Sequence, residues 1–504
     1  MAGRSLLALP TQFFAALIAT FRPYKRPWIQ SVLVAPRFSL TSSPSPGLVR
    51  EISRRQWRWR PRHRSLLEPV RSHSTLAPTS KTGDDLPSLA SLPSRVVPRY
   101  LQSTRPGSSL LSLRWPRPPH NLLIVLKLYS PDVIESVVKF AKYIHRDYPR
   151  VSIVLEPRVA PTVQERLKFP IYVADNRSNI AEKIDVVATF GGDGTVLRAA
   201  SLFKLHGSVP PILSFSMGTL GFLGEWDFEE YKKAWREMYM SGSQVTAGDD
   251  ASPPPQLVLG APMDASPEEW EHLRGRSLGA SRASKILLRH RIKVDVFDRA
   301  GGNINHELSD SLASQAQSGI ASKSETPPSL RAVNEISIHR GSHPHLAIID
   351  IYQNGHFLTE TTADGILVST PTGSTAYSLS AGGPIVHPLV KSLLITPISP
   401  CSLSFRSLVL PLDTKVCLRM SNKNRMRELD LSIDGKRCAG VSPGTEIRIE
   451  GEFVGKAGPG EEWHGGVPCV IRAEDDDPWL GGLNGLLKFN SPFRRDPPGE
   501  DLAD

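Results

Sequence analysis

Ile184-Asp185-Val186-Val187-Ala188-Thr189-Phe190-Gly191-Gly192-Asp193-Gly194-Thr195 is the stretch whose reading decides the fold of this chain. Ile184 to Phe190 is an apolar, β-branched run of the kind that fills a core strand. Val196, Ala199, Ala200 and Phe203 then recur at helical spacing, so a helix begins near Thr195. Between the two, Gly191, Gly192 and Gly194 lack the side chains that would keep a polyphosphate off the backbone amides. The helix N-terminus adds unpaired N–H groups and a partial positive charge. A carboxylate raises the energy of an anion site, so Asp193 needs a chemical reason: acid–base work beside a phosphate, or a metal carried with it. The alternative reading is a tight strand–helix turn with Asp as its cap.

Working outward, Asn121 to Leu128 has a buried-strand pattern, and Ser130-Pro131 opens a helix running to about Arg146. Val151 to Glu156 and Pro211 to Phe215 read as further strands. Such β/α alternation predicts an open parallel sheet with helices on both faces over residues 119–240, its ligand crevice at the carboxyl ends of the strands, where the glycine turn falls. The pattern changes after residue 285. Ile292, Val294 and Val296 alternate with polar neighbours, as do Leu429, Leu431 and Ile433. Asn354-Gly355 and Asp434-Gly435 are two-residue hairpin signals. Residues 286–475 therefore read as an all-β domain, a sandwich. Residues 241–285, with Pro253-Pro254-Pro255, and the polar stretch 309–329 read as disordered insertions. In the tail, 476–504, Trp479 to Phe489 is a short amphipathic segment suited to docking back on the α/β domain.

Charge separates the first hundred residues from the rest. They hold 16 Lys/Arg against 4 Asp/Glu, whereas the other 404 residues hold 44 basic and 46 acidic groups. The net charge of +10 thus belongs to the leader, and the near-neutral remainder argues against a nucleic-acid partner. No acidic residue precedes Glu51, and Arg, Ser and Pro abound, so residues 1–118 read as a disordered leader carrying a mitochondrial transit peptide for import to the matrix. Ser5 to Phe21 is apolar enough to raise a signal-peptide or anchor alternative, but Pro10, Thr11 and Gln12 interrupt it and it is shorter than the roughly 20 residues a bilayer requires. No later segment looks membrane-spanning. Cys401, Cys417, Cys438 and Cys469 show no metal-ligand spacing and no disulfide framework, so no protein-held metal site is expected.

A second dense motif runs from Asp364 to Pro384, DGILVSTPTGSTAYSLSAGGP. Six Ser/Thr hydroxyls between Ser369 and Ser378, interleaved with Gly and Pro and carrying the Tyr377 ring, offer short donors and open backbone to a polar, sugar-like or nucleotide ligand. A turn-forming linker is the other reading. Asn334-Glu335, at the mouth of a strand Ile336 to His339, could hold vicinal ribose hydroxyls or could be solvated surface.

Taken together these residues resemble the NAD kinase family. Gly191-Gly192-Asp193-Gly194-Thr195 followed by Val196-Leu197-Arg198-Ala199-Ala200, the run Gly218-Thr219-Leu220-Gly221-Phe222-Leu223, Asn334-Glu335 and the 364–384 block stand in that family's order and spacing, over about residues 120–475. The four-residue GGDG is shared with lipid kinases and phosphofructokinases; the Ser/Thr/Gly block is the more specific mark. With its leader and insertions the chain looks like a fungal mitochondrial member of NADH kinase type.

The resemblance implies a Rossmann-like, phosphofructokinase-like α/β domain followed by a β-sandwich, and phosphoryl transfer from ATP, with Mg²⁺, to the adenosine-ribose 2′-hydroxyl of NAD⁺ or NADH. It implies that Asp193 accepts the proton of that hydroxyl and that Gly191, Gly192, Gly194 and Thr195 cradle phosphate. Asn334 and Glu335 match a pair contacting the dinucleotide; Asp364, Thr375, Ala376, Tyr377 and Ser380 match the loop holding its adenine and nicotinamide ends; Asp434 matches a further contact. Arg198 either neutralises phosphate charge or faces solvent. Relatives of this kind are homodimers or tetramers, with small-molecule substrates and neither nucleic acid nor membrane as partner. Ser216 stands where many of them have Asn, and is assigned no role. No GxxxxGK[ST] is present, so a P-loop lysine plays no part. A GGDG-type lipid kinase leaves Asn334-Glu335 and the 364–384 block without purpose. A dinucleotide-binding protein that has lost catalysis would be expected to lack the carboxylate at 193.

Overall fold

Strands without a solvent-facing side chain need cover on both faces, and the α/β region supplies it. In the computed structural model, which describes residues 86–102, 109–175, 180–218, 221–241, 283–308, 328–438, 440–456, 463–472 and 478–487, one sheet is built from β1 (Arg99–Gln102), β2 (Leu111–Arg114), β3 (Asn121–Leu126), β4 (Ser152–Leu155), β5 (Tyr172–Val173), β6 (Val186–Gly191), β7 (Ile212–Ser216), β8 (Trp226–Asp227) and β9 (Lys285–Arg289). Its helices are α1 (Pro131–Asp147), α2 (Ala160–Gln164), α3 (Ile180–Lys183), α4 (Asp193–Ser201) and α5 (Tyr231–Tyr239). α1 starts at Pro131, whose fixed φ suits a first helical turn, and buries Val133, Val137, Phe140, Ala141 and Ile144 on one side. The Phe140 ring meets Phe190, Phe215, Tyr231 and Trp235, joining α1 and α5 to β6 and β7.

The second domain comprises β10 (Ile292–Phe297), β11 (Leu330–Ala332), β12 (Glu335–His339), β13 (Ala347–Gln353), β14 (His356–Ala363), β15 (Gly365–Ser369), β16 (Ser392–Ile398), β17 (Leu408–Pro411), β18 (Val416–Met420), β19 (Asp430–Ile433), β20 (Lys436–Arg437) and β21 (Glu446–Gly451). They form two antiparallel sheets, ordered β11-β10-β21-β18-β13-β14 and β17-β16-β15-β12-β19-β20. One core, including Val294, Ile349, Leu418 and Ile447 from the first sheet and Ile338, Ile366, Ile395 and Leu431 from the second, lies between them, which is a sandwich. Both expected hairpins form: Asn354-Gly355 joins β13 to β14 and Asp434-Gly435 joins β19 to β20, each with both turn residues at positive φ. The chain then makes β22 (Gly455–Lys456) and β23 (Trp463–His464) before β24 (Val467–Ile471).

Two boundaries differ from the sequence reading. β9 and β24 belong to the first sheet, whose order is β1-β2-β9-β24-β7-β6-β3-β4-β5, so the sandwich occupies 292–451 rather than 286–475. β24 is buried along its whole length beside β7, a place that demands apolar residues but no helical periodicity. The leader is also shorter than 118 residues. β1 and β2 extend the sheet, and Leu89 and Leu92 are buried in the cluster holding Leu123, Val125 and Val196. Asp185 clamps this N-terminal segment by accepting from the backbone N–H groups of Val96 (2.6 Å), His120 (2.5 Å) and Asn121 (2.9 Å). The expected transit segment before residue 86 and nearly all of both insertions lie outside the described residues. The tail forms a helix, Pro478–Leu487, with Gly482 against the Phe222 ring and the Trp479 ring 4.6 Å from that of His387.

β3 neighbours β4 on one side and β6 on the other, so successive crossovers diverge between β3 and β6. The glycine turn ends β6 at that divergence, the place where open α/β sheets bind ligands.

Candidate active site

Asp193 is the first residue of α4, with Gly192 in extended conformation as its N-cap. Gly191 takes φ +154°, and a Cβ there would overlap Thr195 Oγ1, so only glycine fits. A Cβ at Gly192 or Gly194 would meet nothing within 4 Å, so those two border open space rather than packed protein. The Asp193 carboxylate accepts one hydrogen bond per oxygen, from the N–H of Phe222 (3.0 Å) and of Leu223 (2.9 Å). A Cβ on Gly221 would overlap Asp193 Oδ1, which explains the glycine in that segment.

Arg198 does not face solvent. It is half-buried, pairs with Glu156 at 3.0 Å and donates to the Leu126 carbonyl. Glu156 stands at the end of β4, and burial raises its carboxyl above the usual range despite Arg198.

Asn334 and Glu335 are buried, 7 % and 6 % exposed, which rules out solvated surface. Glu335 is itself the first residue of β12. Beneath the pair lies Asp434, in the type I′ turn at φ +47°. Its carboxylate is turned inward and accepts from the N–H groups of Val333 (3.0 Å), Asn334 (2.7 Å) and Glu335 (3.3 Å). Asp434 thus shapes the Asn334-Glu335 backbone instead of presenting an open carboxylate. Asn334 Oδ1 and Glu335 Oε2 are buried with no hydrogen-bond partner among the described residues, an arrangement that costs free energy unless a ligand supplies donors. Burial, reinforced by Asp434, pushes the Glu335 carboxyl up to about 7, while the Tyr377 backbone N–H pulls in the other direction.

The 364–384 block closes over this pair. Thr370 Oγ1 donates to the Val333 carbonyl at 2.5 Å, and Thr370 N–H donates to the Asn334 carbonyl at 2.9 Å. Most block hydroxyls are internal struts: Ser374 with Val386, Thr375 with the Thr372 carbonyl, Ser378 with Thr396. Thr372–Thr375 and Tyr377–Ser380 form short helical turns joined by Ala376. Tyr377 remains 39 % exposed, its phenol raised by burial and then by Asp364 and Glu335. Ser380 is exposed, and Asp364 pairs with Arg340.

Three contacts bring the two halves together. Val333 packs in one cluster with Val196, Ala199, Ala200 and Phe203 along α4. Lys436, in the hairpin of Asp434, donates to Ser201 at 2.9 Å, and Arg331 donates to the Lys204 carbonyl at 3.3 Å. The hairpin of Asp434 and the strand before Asn334 thus meet α4 at its C-terminal end, while the glycine turn stands at its N-terminus. Sequence reasoning missed Glu156, Lys436, Glu225 and Arg289, because each is a charged residue with no local motif and meets its partner only through the fold.

Known proteins can be compared with this geometry. The ATP-NAD kinase N-terminal domain model matches residues 125–242, and the ATP-NAD kinase C-terminal domain model matches residues 333–452. The chain is 35% identical to a mitochondrial NADH kinase of Schizosaccharomyces pombe over 409 residues, 80% of this chain and 85% of that protein. It is 33% identical to a mitochondrial NADH kinase of Saccharomyces cerevisiae over 422 residues, 77% of this chain and 85% of the relative. Among solved structures, yeast NADH kinase complexed with NADH superposes with a TM-score of 0.61 at 31% identity, covering 82% of this chain and 99% of that one. With both domain models matched in order and relatives aligned over most of their length, the chain belongs to the ATP-NAD kinase family.

Proposed function

We propose that this enzyme transfers the γ-phosphoryl group of ATP to the adenosine-ribose 2′-hydroxyl of NAD⁺ or NADH, giving NADP⁺ or NADPH, ADP and a proton. The carrying observation is a carboxylate, Asp193, at a helix N-terminus bordered by two open glycines, together with the buried acceptors of Asn334 and Glu335 next to Val333, which packs in one cluster with that helix. Asn334 Oδ1 and Glu335 Oε2 take ribose hydroxyl or amide donors of the dinucleotide, with Asp364, Thr375, Ala376, Tyr377 and Ser380 as the loop around its ends. Asp193 accepts the 2′-hydroxyl proton as that oxygen bonds to the γ-phosphorus and the bond to the ADP oxygen breaks. Gly191, Gly192, Gly194 and Thr195 cradle the phosphates at the helix N-terminus. That the relatives are NADH kinases, one solved with NADH, supports this reading.

Among the described residues no cluster of three or more acidic, His or Cys groups could cage a metal. Mg²⁺ would accompany ATP and supply neutralisation of its phosphate charge. No helix among the described residues is long and apolar enough to cross a membrane. Neither the lipid-kinase nor the inactive-binder alternative finds support among the relatives.

Two finer features belong to the same proposal. The mitochondrial relatives and the arginine-rich, acid-poor leader support import to the matrix. Exposed Phe357 and Leu358 on the edge strand β14, and Val409 on the edge strand β17, support a homodimer or tetramer. The functional test is turnover of full-length enzyme with ATP and Mg²⁺, comparing NAD⁺ with NADH. Asp193→Asn is expected to lower kcat by at least roughly a hundredfold; unchanged kcat refutes its role as base.

A further inference from the structure

The peptide groups holding Asp193 are themselves held. Arg289, at the end of β9 and only 2 % exposed, donates to the Phe222 carbonyl at 3.0 Å and to Glu225 Oε1 at 2.9 Å. Phe222 is the residue whose N–H reaches Asp193 Oδ2, and the next N–H, of Leu223, reaches Oδ1. Two adjacent amides, one to each oxygen, set the plane of the carboxylate as well as its position. Ser214 Oγ fixes the far side of the same loop, donating to the Leu223 carbonyl at 3.0 Å and accepting from Glu225 N–H at 3.1 Å. Glu225 is buried with Arg289, so the guanidinium is charge-balanced and its remaining donor can serve the Phe222 carbonyl.

We infer that Arg289 is a positioning residue for Asp193, acting through the Phe222 and Leu223 peptides. The inference rests on the proposed role of Asp193 as proton acceptor. Both bonds leave Nη2, whose two hydrogens lie fixed in the guanidinium plane and so aim at the carbonyl and the carboxylate in one geometry, which the freely rotating ammonium of lysine does not hold. Misplacing a reacting group by about 1 Å can lower turnover by roughly a hundredfold, so a remote anchor of this kind has leverage on kcat without touching substrate.

Arg289→Met alone leaves the buried Glu225 carboxylate without its guanidinium and can fail through misfolding. The deciding variant is therefore Arg289→Met with Glu225→Met, which replaces the ion pair by apolar volume and removes the donor to the Phe222 carbonyl. In full-length enzyme with ATP, Mg²⁺ and NADH, kcat is expected to fall at least tenfold with both KM values within about twofold of wild type. The same pair placed in Asp193→Asn is expected to change the residual kcat less than about twofold, because the group being positioned is gone. An equal loss in both backgrounds, or a wild-type kcat in the pair variant, overturns the inference. If Asp193→Asn alone retains wild-type turnover, the reading of Asp193 fails, and the inference with it. Should the pair variant melt below the assay temperature, Arg289→Lys carries the same two-background comparison, with the same outcomes deciding.

Discussion

Glu335 shows how one residue ties the binding role to stability. Its carboxyl is pushed from 4.5 up to about 7, first by burial and then by Asp434, so the folded state keeps a proton that the unfolded chain releases. Between those values stability falls as pH rises, by up to about 3 kcal/mol, and above about 7 the loss is complete. Glu335→Gln, which cannot ionise, is expected to melt higher than wild type at pH 8 but not at pH 5, and to raise the KM for the dinucleotide. Calorimetry at the two pH values checks this; a melting difference independent of pH sinks it. At this scale Asp193 stands out in the sequence through its glycine-crowded turn, whereas the dipeptide Asn334-Glu335, equally readable as surface, is picked out by the family resemblance, and its burial appears only in the fold. Of the two readings of Arg198, solvent exposure gives way to the pairing with Glu156, which follows a different strand, and nothing within a helical turn of Arg198 announces it.

Among the elements, the N-terminal segment is the least legible. Residues 86–102 carry few of the markers of a core element, yet Tyr100 and Leu92 are buried and Asp185 binds the backbone of Val96. Asn121 Nδ2 donates to the Pro93 carbonyl at 3.0 Å and Lys183 Nζ to the Leu92 carbonyl at 2.6 Å. Protein starting at residue 86 is expected to fold, and protein starting at residue 110 to lose β1 and leave Asp185 buried with one donor fewer. We expect the shorter form to melt at least several degrees lower or to be insoluble, as the loss of buried strand and hydrogen bond implies; equal melting temperatures contradict this. By contrast both hairpins were readable, since Asn-Gly and Asp-Gly tolerate the two positive φ values that a type I′ turn requires.

For the molecule as a whole, the two chain crossings between domains are tied to the end of the Asp193 helix. Glu452 forms a two-point pair with Arg291 (both 2.7 Å), accepts from Arg331 at 2.6 Å and takes the Gly466 N–H at 2.8 Å. Arg291 donates onward to the carbonyls of Phe203 and His206, just past α4. Glu452→Gln leaves two guanidinium groups without a counter-charge in the interior, and removing one partner from such a buried network costs about 3–5 kcal/mol. We expect a lower melting temperature and, because the clasp joins the domains, a separation of one thermal transition into two; a single unshifted transition counts against the clasp. Residues 1–85 fused to a fluorescent reporter are expected to direct it to mitochondria, and diffuse cytosolic signal overturns that expectation.

Local order in the chain determined the elements and the kinase-like turn. Periodicity, glycine placement and hairpin dipeptides act between neighbours, so they are written in adjacent residues. Only the tertiary structure decided which strands close the first sheet, what restrains Arg198, and how Asp193 is aimed. Those outcomes depend on pairings such as Arg289 with Phe222 and Glu452 with Arg291, whose partners lie far apart along the chain. Burial then turns such distant pairings into strong constraints, because a charge or amide removed from water must find its partner within the fold.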